Sequence, residues 1–194
     1  MEGIVGIDYG SKLAGTTVIA YNNGFDKRIQ LFQSQKNKCA DSFILDKLSD
    51  LNSTTIGIDA PLSLPGVYTG IQGCSDFHYR KCDQETNAMS PMFLGGLTAR
   101  AMKLKSQLTP RVIEVYPKQV AVTFDLHEHG YKKTLSSIPL CLRELFKPSR
   151  FPFEVFQCEN WHQFDAILAL VATYRFQRNM AESIGDVNEG IIYF

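Results

Sequence analysis

The chain has 194 residues, 44% of them hydrophobic and 21% charged, enough to bury one core without disulfide or metal staples. Its formal net charge is zero, which excludes a global field drawing it onto nucleic acid. A local basic groove remains open if Arg80-Lys81, Arg100-Lys103-Lys105 and Lys132-Lys133 converge while acids elsewhere cancel them; a scattered solvated surface is the other reading. No stretch approaches the ~20 apolar residues that span a bilayer, and the first residues carry no secretory pattern, so a cytoplasmic, single-domain protein over residues 1–194 without membrane contact is expected. Cys39, Cys74, Cys82, Cys141 and Cys158 fall in no CxxC spacing and read as reduced structural thiols.

In chain order, Ile4-Val5-Gly6-Ile7-Asp8 is a short apolar strand closed by a carboxylate. Thr16 to Tyr21, rich in β-branched residues, is a second strand, and Asn22-Asn23-Gly24 a turn. A third strand over about 28–33 completes an antiparallel meander. Phe43, Ile44, Leu48 and Leu51 at helical spacing predict a helix over 41–51. The fourth strand, Thr54 to Asp59, then comes back through a crossover and is expected parallel to the first, with both aspartates at one sheet edge, where open α/β sheets bind ligands. Residues 65–91 read as a substrate loop with a short helix over 75–85. A helix over 93–108, a strand over 112–116 stopped by Pro117 and a helix over 134–146 follow. Asn160, with Gln163 three residues on, caps the last long helix, which runs to about Asn179 with a core stripe of Phe164, Ile167, Leu168, Val171 and Tyr174. Residues 190–194 read as a terminal strand or docked tail.

The tripeptide Gly-Ile-Asp thus closes two strands, at Asp8 and Asp59. Positions i and i+2 share a strand face, so Gly6 and Gly57 leave side-chain-free space beside the acids. The helix carrying Asp165, with Ala169 and Ala172 on its flank, is the economical occupant. Asp8, Asp59 and Asp165 then meet as catalytic and metal-binding residues, with Glu114 as a fourth or peripheral member. Clustered carboxylates repel unless cations sit among them, and oxygen donors suit Mg2+ or Mn2+. Two such ions about 4 Å apart activate water and stabilise a departing oxygen in phosphodiester cleavage. Lys12, Arg80, Arg100 and Lys118 are the candidate substrate-binding cations; for Arg80 with Asp83, a loop-bracing ion pair is the other reading. His162, one turn before Asp165, could ligate metal or position water, or simply lie at the surface near a helix start.

The order of elements resembles the ribonuclease H-like fold, shared by the Holliday junction resolvases. The segments GIDYGSKLAG, GIDAPLSLP, YRKCD at Tyr79 to Asp83, IEVYP at Ile113 to Pro117 and HQFDAILAL around Asp165 are together similar to domain family 429, of uncharacterised function and predicted to be nucleases. The resemblance implies a mixed central sheet, three antiparallel strands then parallel ones, flanked by helices. It also implies a metal-dependent nuclease acting on nucleic acid, with Asp8, Asp59 and Asp165 at the family's acidic positions. His162 stands where the resolvases pair a second acid on the last helix.

Two alternatives stand beside this. The chain could keep the fold without catalysis, as a nucleotide- or nucleic-acid-binding protein. The strand-Asp-x-Gly turn followed by Gly15-Thr16-Thr17 also resembles the first phosphate loop of actin-like phosphotransferases, although those use two such domains. His127-Glu128-His129 reads as a solvated loop rather than a metal site, and Trp161 as an anchor for the last helix.

Overall fold

The computed structural model describes residues 3–147, 150–155 and 157–194. Strand β1 (Gly3–Asp8) pairs antiparallel with β2 (Val18–Asn22), and β2 with β3 (Gln30–Gln33). Helix α1 (Ala40–Asp50) carries the chain back, so that β4 (Ser53–Asp59) lies parallel to β1. The chain continues through α2 (Lys81–Thr86), α3 (Pro91–Leu94) and α4 (Gly96–Gln107) to β5 (Arg111–Val115), parallel to β4. After α5 (Pro117–Thr123), α6 (Ile138–Leu145) and α7 (Trp161–Gln177), β6 (Ser183–Asp186) and β7 (Gly190–Tyr193) form a hairpin whose second strand runs parallel to β5. The sheet order is β3-β2-β1-β4-β5-β7-β6, the mixed α/β architecture that the resemblance implies.

Strand alternation sends Val5, Ile7, Ile19, Ile56 and Ile58 to one core with Ile44 of α1 and with Ala101 and Leu104 of α4. The other face takes Ile4, Val18, Ala20, Ile113 and Val115 against α5, α6 and α7. Helix α7 packs on β1, β2, β4 and α5, and every residue from Phe164 to Thr173 is buried. The expected apolar stripe is therefore too narrow: with the sheet on one side and other elements over its back, the helix is apolar all round. Its cap is as expected, Asn160 Oδ1 accepting the Gln163 N–H at 3.0 Å.

Other differences have local causes. The third strand starts later because Arg28 pairs with Glu154, the Ile29 N–H reaching the Glu154 carbonyl at 3.0 Å. The helix expected over 93–108 is broken at Gly95, whose φ of 45° and ψ of −100° no helix accommodates. The short helix begins only at Lys81, because Asp76 holds the His78 and Tyr79 N–H groups in a turn outside it. Pro117 does end β5, but it also opens α5 as an N1 proline. β6 was not expected at all.

The two glycines do what the sequence implies. A methyl group on Gly6 would collide with the backbone of Leu170, Ala166 and Ala169, and one on Gly57 with the Thr173 hydroxyl. The α7 backbone thus lies directly on β1 and β4, and the Thr173 hydroxyl donates to the carbonyls of Ala169 at 2.8 Å and Val5 at 3.1 Å.

Candidate metal centre

Asp8 and Asp59 are register partners at the carboxyl ends of the two central parallel strands, on the face that α7 covers. The first turns of α7 bring His162 and Asp165, three residues apart and so on one helix face, over that edge. His162 Nδ1 lies 2.9 Å from Asp8 Oδ2. Asp165 is 4% exposed; its Oδ1 accepts the Tyr131 hydroxyl at 2.6 Å, and its Oδ2 pairs with Lys132 Nζ at 2.7 Å. Among the described residues none offers the Asp59 carboxylate a hydrogen bond or an ion pair.

The electrostatics follow from this crowding. Burial, then repulsion from Asp8 and Asp165, push the Asp59 carboxyl well above the usual range. Burial also raises Asp165, against the pull of Lys132. The hydrogen bond to Asp8 raises His162. Burial works against the Lys132 ammonium, yet Asp165, Asp59 and Asp8 together hold it above its ordinary value. Three carboxylates with one ammonium among them suit Mg2+ or Mn2+, and the partnerless carboxylate of Asp59 is the observation that fits such an ion here.

Glu114 and Arg80 belong to a different constellation. Arg80 is 0% exposed. Its Nε and Nη2 reach the Asp83 carboxylate at 3.0 and 2.6 Å, and its Nη1 and Nη2 reach both Glu114 oxygens at 2.7 and 2.6 Å. Nη1 also donates to Ser63 Oγ at 2.8 Å, and Glu114 Oε2 accepts the Leu62 N–H at 2.8 Å. Of the two readings of Arg80, this geometry is the bracing ion pair, with no donor turned to solvent. Ligating atoms of Cys82, Asp83 and Glu114 lie within 4.8 Å of one another, but the guanidinium already supplies the positive charge there. Glu189 extends the brace, accepting the N–H groups of Gly66 and Lys81 at 2.7 Å each.

Arg100 is likewise engaged, through Nε and Nη2 to Asp41 at 3.0 and 2.7 Å and over the Tyr9 ring, while the Tyr9 hydroxyl donates to Asp41 at 2.6 Å. Lys12, in the loop after β1, and Lys118, in the first turn of α5, are exposed. The Gly10 N–H goes to Thr17 Oγ1 at 3.0 Å, which removes one donor that an actin-like phosphate loop would turn to a ligand. His127 packs on Tyr131 and His129 pairs with Glu144, so the His-Glu-His run forms no metal site. Trp161 anchors α7 edge-on against Tyr131 and Phe164. A cavity of about 210 Å³ opens beside Asp59, lined by Tyr9, Pro61, Met89, Leu97 and Tyr116 among others.

Tyr131 and Lys132 are functional candidates that sequence reasoning did not single out. Lys132 entered only as half of a basic pair, because nothing local says that its loop folds onto Asp165, which lies on another element.

No family model matches the chain, so membership of domain family 429 is not shown, and no curated protein matches it. Among solved structures it is similar to RuvC of Thermus thermophilus in complex with Holliday junction substrate, with a TM-score of 0.49 and 10% identity over 95% of this chain and 99% of that one. A second RuvC structure from the same organism gives a TM-score of 0.47 and 13% identity over 94% and 98% of the two chains.

Proposed function

We propose that the chain is a divalent-metal-dependent nuclease that hydrolyses phosphodiester bonds at Asp8, Asp59 and Asp165. The observation that carries this reading is the register pairing of Asp8 with Asp59 under Asp165, which leaves the Asp59 carboxylate without a partner and repelled by the other two. Mg2+ or Mn2+, held by Asp8 and Asp59 with Asp165 beside them, would supply Lewis-acid polarisation of a phosphate and a water acidic enough to attack it.

The chain's own groups prepare that centre. His162 orients the Asp8 carboxylate, and Tyr131 fixes Asp165, as outer partners fix metal ligands. The Arg80-Glu114-Asp83 brace sets the course of the loop that leaves Asp59, through the Leu62 N–H and Ser63. Arg100 and Asp41 do the same for the loop that leaves Asp8, since Arg100 Nη1 also reaches the Gly10 carbonyl at 3.3 Å. Exposed Lys12 and Lys118 are left to meet substrate phosphates.

The test is cleavage of single-stranded, duplex, hybrid and branched substrates with Mg2+, with EDTA, and with Asp8→Asn or Asp59→Asn. Mg2+-dependent cleavage that falls to background in both variants is expected. Equal activity in wild type and variants, or none on any substrate, overturns the proposal. His162→Ala should cost about 10- to 100-fold, the usual effect of losing an outer partner of a metal ligand.

A further inference from the structure

Resting on that carboxylate centre, we propose that Lys132 stands in the place of a second cation, so that the centre takes up one divalent ion per chain rather than two. The Lys132 ammonium lies 2.7 Å from Asp165 Oδ2, and the other oxygen of the same carboxylate is held by the Tyr131 hydroxyl. Both oxygens of Asp165 are thereby engaged by the protein, whereas Asp59 has no side-chain partner among the described residues. Three carboxylates and the Lys132 ammonium leave at most two negative charges, which a single divalent ion suffices to balance.

The lysine is delivered by a built element. Its φ of 57° is left-handed, an uncommon conformation for a residue with a side chain. The preceding Tyr131 is buried, packs edge-on against Trp161 and closes a turn through its N–H to the Leu126 carbonyl at 3.0 Å. Gly130, at φ 86°, faces the Ser137 side chain so closely that a Cβ would clash. The turn therefore holds Lys132 over α7, although its side chain is half exposed. The other charged groups that act on it come from the strand ends, Asp59 of β4 and Asp8 of β1.

Mn2+ uptake by the full chain, read from the free-ion electron paramagnetic resonance signal and from calorimetry, tests this without any substrate. Wild type and the charge-keeping Lys132→Arg should bind one ion per chain. Lys132→Met and Lys132→Gln should bind two, with circular dichroism establishing that each is folded; half-exposed Lys132 tolerates such changes, and the pair guards against one variant failing. Asp8→Asn should weaken the first ion by about tenfold or more. Two ions in wild type, or one ion in folded charge-removed variants, overturns the inference. No uptake by wild type overturns the metal centre itself, whereas Asp8-dependent cleavage with two bound ions overturns only the role of Lys132.

Discussion

At the scale of single residues, the difference between Asp59 and Glu114 is one of partners rather than of burial. Both are raised by burial, but Glu114 is met by a guanidinium and a backbone N–H, while Asp59 has no hydrogen-bond partner among the described residues and repulsion from Asp8 and Asp165 outweighs the pull of Lys132. Because the folded-state pKa of Asp59 lies above its unfolded value, the folded chain binds the extra proton between the two, so this group's contribution to stability falls as pH rises through that window. Asp59→Asn should therefore raise the melting temperature in EDTA at neutral pH, and the gain should vanish once the solution is acid enough to protonate Asp59 in both states. Melting curves over pH check this; a lowered melting temperature at pH 7 would mean that the carboxylate is not repelled. Arg80 gives the opposite case. Arg80→Met strips the counter-charge from two buried carboxylates and should cost about 3–5 kcal/mol in urea unfolding.

The elements explain why some of this was legible in the sequence and some was not. Gly-Ile-Asp at two strand ends signals the register of Asp8 with Asp59, because β-branched runs and a crossover helix dictate parallel neighbours and alternation dictates the face. Gly6 signals the approach of α7, because a missing side chain below an acid makes sense only if another backbone lies there. Gly6→Ala should accordingly destabilise by at least about 1–3 kcal/mol, since the methyl meets helix backbone that cannot rotate away. Denaturant unfolding checks this, and a neutral effect would show that α7 can lift off β1. Lys132 and the Arg80-Glu114 pair were not legible in this sense. Their partners lie on other elements, 33 and 34 residues away by number, and no spacing rule connects loops that only the tertiary fold brings together. The break at Gly95 and the hairpin strand β6 were missed because tertiary pairing, not local propensity, decides them.

For the molecule as a whole, a net charge of zero leaves binding of a polyanion to whichever cations stay uncommitted. Arg80 is spent on Glu114 and Asp83, Arg100 on Asp41 and Lys132 on Asp165, so of the candidate phosphate contacts Lys12 and Lys118 remain. Each neutralised phosphate releases counterions worth about 0.9 in the slope of log affinity against log salt, so two contacts predict a slope of about −2 on duplex DNA. Affinity should then fall by about tenfold between 50 and 200 mM salt. Fluorescence anisotropy with the Asp8→Asn variant measures this without cleavage, and Lys12→Ala should flatten the slope by about 1 if that side chain meets a phosphate. A slope approaching about −4.5 would mean that Lys81, Lys103 and Lys105 join a continuous basic surface, and that the neutral chain hides a groove its formal charge does not reveal.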